Sequence, residues 1–179
     1  MKPDFLYHGS QYLFETLIPQ QSNDNTEEGS KLAIYACEYF NLVIPFALPI
    51  RWYPDPLLSD DKTLWCPSPT GKGFFGVAYG RDPSEDMDDK TWMEITVEHG
   101  SINPDGFGYV YKVSSEHFEK IDNWQWVTTK EIHPIEVIKI MVADYWHIIS
   151  FSSKALEINK SLYPSDTLYL NIQPRADEN

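Results

Sequence analysis

The chain has 179 residues, 42% hydrophobic and 15% aromatic, and its 14 Lys+Arg against 27 Asp+Glu give a formal charge of −13. That length suits one domain, assigned to residues 1–179, which buries roughly two-thirds of the surface its unfolded chain exposes, and this apolar content excludes a disordered chain. The acidic surplus repels a polyphosphate and disfavours a nucleic-acid partner; an acidic surface that mimics nucleic acid is a lesser reading than one that keeps the chain soluble.

Taken in chain order, residues 5–8 read as a short apolar strand running into Gly9-Ser10. Leu13, Phe14, Leu17 and Ile18 follow, then a polar loop over 20–30, then a buried strand over 32–36. Between 38 and 48 the residues Phe40, Leu42, Val43, Phe46 and Ala47 fit a helical face, which Pro45 should kink or end. Residues 51–73 hold prolines and tryptophans at no regular period, as expected of a long loop over the core. Segments 74–79, 91–97 and 108–113 are rich in β-branched and aromatic residues between turn residues and read as strands, with the acidic stretch 82–89 a solvated connection. Segments 124–128 and 137–143 continue the strand pattern, 149–162 reads as a late helix with Leu156 and Ile158 partly buried, and 175–179 as a frayed tail. The sum is an α+β domain dominated by antiparallel strands, with a few short helices at its margins.

Cys37 and Cys66 have no second Cys or His at zinc-site spacing, so they read as a free, reduced pair in a cytoplasmic protein. The start of the chain carries no apolar stretch of signal-peptide length, and the longest apolar run, 42–50, is interrupted by Pro45 and Pro49, so no membrane segment is expected. His99, His117, His133 and His147 are scattered and suggest no metal. The cluster Asp82, Glu85, Asp86, Asp88 and Asp89 has the composition of a calcium loop without its ordered Gly and closing Glu. Thr70-Gly71-Lys72-Gly73 lacks the spacing of a phosphate-binding loop. Arg51 and Lys72 are among the few cations available to a pyrophosphate, and Trp52 and Trp65 among the aromatics available to anchor a partner.

The order of motifs carries a family likeness: Leu6-Tyr7-His8-Gly9-Ser10, then Ile34-Tyr35-Ala36-Cys37 running into a helix with Phe46-Ala47, then Tyr109-Val110-Tyr111-Lys112-Val113, then Trp124-Gln125-Trp126-Val127. Over most of residues 5–143 this resembles the ADP-ribosyltransferase-like superfamily, in its His-Tyr-Glu branch, which includes the poly(ADP-ribose) polymerases and the RNA 2'-phosphotransferases. The resemblance implies a split, mostly antiparallel sheet with short flanking helices, and NAD as substrate. In that reading His8 bonds a ribose hydroxyl, Gly9 offers bare backbone to the nicotinamide carboxamide, the Tyr35 ring stacks on the nicotinamide, and Ser10 counts with these three among the cofactor-binding residues. The third position, usually Glu, falls on Gln125, whose amide orients a hydroxyl but carries no charge to stabilise an oxocarbenium ion and no basic group. Glu131 is the second choice for that role and Glu136 a lesser one.

The implied activity is cleavage of the nicotinamide–ribose bond with transfer of ADP-ribose to an unidentified protein or small-molecule acceptor. The alternative is a catalytically degenerate domain of the same fold, serving as a nucleotide-binding or acidic protein-interaction module. RNA 2'-phosphotransfer fits less well, because Tyr7 stands where those enzymes place Arg and the charge opposes RNA. Taken one residue at a time, His8 reads equally as a satisfied core histidine, Tyr35 as core, and Gln125 as the outward polar residue of a strand.

Overall fold

The computed structural model describes residues 2–21, 31–52, 75–79, 93–97, 100–122, 124–170 and 172–174. The first half of the chain gives β1 (Phe5–Ser10), β2 (Gln20–Gln21), β3 (Leu32–Cys37), α1 (Phe40–Ala47), β4 (Ile50–Trp52), β5 (Phe75–Tyr79) and β6 (Met93–Val97). The second gives β7 (Gly100–Ile102), β8 (Phe107–Ser114), β9 (Glu119–Lys120), β10 (Gln125–Thr128) and β11 (Glu136–Met141), a 3-10 stretch Val142–Ile148, then β12 (Ile149–Phe151), α2 (Ser153–Leu162) and α3 (Thr167–Leu170). The main sheet runs β11-β8-β1-β3-β10-β9 with β2 beside β3, and its pairings are antiparallel. A three-stranded sheet, β12-β6-β5, and a β4-β7 pair stand apart from it. The expected α+β class with a mostly antiparallel sheet and few helices is what forms. Among the described residues no helix is long and apolar enough to cross a membrane.

Because strand side chains alternate between faces, β1 sends Leu6 and His8 to one side of the main sheet and Tyr7 and Gly9 to the other. Leu6 joins Ile34, Ala36, Tyr111, Val113, Phe118 and Trp126 in one buried cluster. Residues 12–18 close over that face, where Leu17 and Ile132 exchange two backbone hydrogen bonds of 2.9 and 3.0 Å, with Phe14 and Leu17 turned inward and Leu13 and Ile18 outward. On the opposite face Val110, Ile140 and Cys37 pack with α1, with Ile95, Val97, Ile149 and Phe151 of the second sheet, and with Ala155, Leu156 and Tyr169.

α1 does not stop at Pro45 but ends two residues later at Ala47, with the Leu48 amide closing onto the Ile44 carbonyl at 3.0 Å. A proline there removes a single bond near the helix end, while burial of Leu42, Val43, Ile44 and Ala47 holds the turn in place. The expected helix over 149–162 is instead a strand followed by a helix. Ile149 and Phe151 are buried on either side of half-buried Ser150, as β12 pairs in parallel with β6. Ser152 then caps α2, its hydroxyl accepting the Ala155 amide at 3.1 Å. Leu156 is buried and Ile158 half-buried, as expected, but the polar Asn159 is also fully buried, as deeply as Ala155. Its side-chain oxygen accepts from the Ile102 amide (3.0 Å) and the Tyr169 hydroxyl (2.8 Å), and its amide donates to the carbonyls of Gly100 (2.9 Å) and Ala155 (2.6 Å).

Candidate functional site

β1 pairs with β8 along its whole length but has one register pair with β3, Tyr7 opposite Cys37. Just past that pair the His8 ring turns toward β3, its Nδ1 lying 2.7 Å from the Tyr35 carbonyl oxygen. A carbonyl only accepts, so Nδ1 carries the proton and the neutral ring presents Nε2 as an acceptor. Among the described residues nothing bonds Nε2. His8 is enclosed by protein while part of its surface reaches solvent, and burial lowers its pKa, with the Tyr35 bond opposing that shift. The imidazole is therefore neutral at pH 7.

Tyr35 lies between Ile34 and Ala36, both in the cluster on the His8 face, so alternation turns its ring to the other face. Its hydroxyl accepts from the Lys31 amide (3.1 Å) and donates to the Lys31 carbonyl (3.3 Å). Gln125 stands opposite Cys37, two positions from the Val127–Tyr35 pair and on the Tyr35 side of the sheet. Its half-buried position is set by Asp122, whose carboxylate accepts the amides of Trp124 (2.8 Å) and Gln125 (2.6 Å). Glu131, after β10, and Glu136, opposite Lys112 on β11, are exposed. The fold thus brings the His8 side chain to the Tyr35 backbone, and Tyr35 and Gln125 to a shared face.

Ser10 is half-buried, and its hydroxyl accepts the Tyr12 amide at 3.2 Å, which starts the turn after β1. Gly9 makes its close approach to α1: a Cβ there would fall on the Val43 carbonyl oxygen and lie 3.1 Å from the Ala47 nitrogen. Of the other candidates, His133 meets the Thr16 hydroxyl (3.0 Å), His117 lies 3.3 Å from the Lys130 ammonium, and His147 is exposed. No group of three potential metal ligands occurs among the described residues. The side chains of Arg51 and Trp52 and the whole of Trp65, Cys66, residues 70–73, 82–89 and His99 lie outside the described residues.

Tyr111 is a residue of the His8 surroundings to which its strand motif assigns no role. It sits opposite His8, its ring centroid 6.1 Å from the imidazole, and its hydroxyl bonds the main chain of residues 12 and 14. Nothing in a Tyr-Val-Tyr strand pattern announces a bond to backbone 97 residues away.

Cys37 is free and buried, and burial pushes its thiol from 9.0 up to about 12. The thiolate is the nucleophile, so the group is inert in the folded chain. In a Cys66→Ser protein, Cys37 is expected to resist iodoacetamide at pH 8 for as long as the chain stays folded and to react on unfolding, read by mass spectrometry. Above pH 9.0 the unfolded thiol releases its proton while the folded one holds it until about 12. Its contribution to stability is intact below that window and falls through it by at most about 1.4 kcal/mol per pH unit.

Comparison with protein-family models, with curated proteins and with solved structures returns no match.

Proposed function

We propose that this chain is an NAD-using, ADP-ribosyltransferase-like protein of the cytoplasm, its main sheet parting between β1 and β3 to admit the dinucleotide beside His8. The observation that supports this reading is the imidazole itself: one nitrogen is tied to the Tyr35 carbonyl, and Nε2 has no partner among the described residues. A fixed, neutral acceptor at the edge of an apolar cluster suits a ribose hydroxyl, whose O–H can donate to it. The acceptor of ADP-ribose is a protein or a small molecule.

The test is calorimetric titration with NAD and with ADP-ribose, followed on the same sample by assay of released nicotinamide. His8→Ala is expected to weaken NAD binding about tenfold or more, the loss of one buried hydrogen bond and the ring behind it. Since protonation removes the Nε2 acceptor and burial keeps the pKa below 6.5, affinity is expected to stay flat above that pH and to fall in more acid buffer. No binding to the wild-type chain, or binding indifferent to His8, rejects the reading.

One arrangement favours a second outcome, binding without transfer. Gln125 is uncharged, the Tyr35 ring faces away from His8, and Glu131 is exposed. NAD or ADP-ribose bound with no nicotinamide released identifies that case.

A further inference from the structure

We propose that Tyr111 is the positioning residue of the His8 site, its ring forming one wall of the imidazole and its hydroxyl fastening the turn at residues 12–14 that follows β1. The inference rests on reading His8 as the group that meets the ligand.

Tyr111 is the Cα partner of His8 across the β1–β8 pair and is fully buried. Its ring lies 6.1 Å from the imidazole at an interplanar angle of 47°. The hydroxyl accepts the Phe14 amide at 2.7 Å and donates to the Tyr12 carbonyl at 2.7 Å, so one group uses both its donor and an acceptor on a single turn. Burial raises the phenol above its ordinary pKa, which keeps the donor in place at neutral pH. The other end of the turn is held by the Ser10 hydroxyl on the Tyr12 amide.

A file of rings results: His8, Tyr111, Phe14 at 6.3 Å from Tyr111, and Tyr12 at 6.4 Å from Phe14. Tyr12 is 69% exposed although its main chain is bonded at both its amide and its carbonyl. A ring left in solvent on an anchored backbone loses little entropy when a planar group of a ligand lies against it. Tyr111 therefore fixes the imidazole and this outer aromatic face with the same side chain.

Tyr111→Phe keeps the ring in the core and removes both bonds to the turn. The experiment is nitrogen and proton NMR of the His8 imidazole, assigned with His8→Gln, alongside NAD titration. In the wild-type chain a single tautomer protonated at Nδ1 is expected. In Tyr111→Phe, with a cooperative fold retained, the Nδ1 proton is expected to exchange about tenfold faster, the two tautomers to mix, and NAD affinity to fall by about fivefold to tenfold as the wall loosens. Should Tyr111→Phe not fold, Ser10→Ala releases the other end of the same turn without touching the core and is expected to move the His8 signals the same way by less. A His8 ring unmoved in whichever variant folds overturns the proposal. Absence of NAD binding by the wild-type chain rejects the functional reading instead, and the His8 signals still judge Tyr111.

Discussion

Gly108→Ala and Gly9→Ala are each expected to lower the free energy of unfolding by about 3 kcal/mol, through overpacking against backbone. The two glycines lie on adjacent strands and on the same face, with α1 seated across them. A Cβ on Gly108 would fall on the Ala47 carbonyl oxygen, 2.8 Å from the Ala47 carbonyl carbon and 3.1 Å from the Ser10 carbonyl oxygen. One on Gly9 would fall on the Val43 carbonyl oxygen, 3.1 Å from Phe46 Cβ. The obstacles closest to both positions are main chain, so no side chain can swing aside. Relief requires α1 to lift from β1 and β8, and that uncovers Leu42, Val43 and Ala47. Urea unfolding measures the cost. Because one lift relieves both clashes, the double substitution is expected to cost well under the sum of the singles. A single variant within 1 kcal/mol of wild type means α1 is not seated as described.

That prediction bears on function, because the His-Gly dipeptide is the strongest motif in the chain. Gly9 has a packing reason to be glycine whether or not nicotinamide ever approaches it. The weight of the NAD reading therefore rests on His8 and its unpartnered nitrogen more than on the dipeptide.

What the sequence disclosed follows from which interactions are local. Short runs of apolar, β-branched and aromatic residues make β1, β3, β8 and β10 readable to within two residues. The short β2, β4, β7 and β9 escaped, because two or three residues carry no period and exist only through their partners. The stretch 149–162 reads as a single helix for the same reason: Ile149 and Phe151 ahead of a helix look like its first turn until β6 pairs with them. At the site, His8, Tyr35 and Gln125 were found as residues, while their sides of the sheet depended on register. Strand pairing alone decides that Gln125 stands opposite Cys37 and that His8 stands opposite Tyr111.

Asn159→Ala is expected to destabilise the chain by about 3 kcal/mol, since it strands several buried polar groups at once. Asn159 is fully buried and uses its oxygen and its amide twice each, on Ile102, Tyr169, Gly100 and Ala155. With alanine the Ile102 amide and the Gly100 carbonyl lose their side-chain partner, while the one proton of the Tyr169 hydroxyl, shared between Asn159 and the Ile102 carbonyl, goes wholly to Ile102. Asn159→Asp is expected to be worse: a carboxylate cannot donate to Gly100 or Ala155, and its charge would face their carbonyl oxygens. Tyr169→Phe removes the hydroxyl that Asn159 and Ile102 share, so a double-mutant cycle with Asn159→Ala should show a coupling of about 1 kcal/mol, whereas independent sites would add. These bonds hold α2 and α3 to β7, on the far side of the core from His8. Unfolding midpoints should therefore fall while the His8 tautomer, read by NMR below the midpoint, stays as in the wild type; a shifted His8 signal would mean that the two faces of the main sheet are coupled through α1.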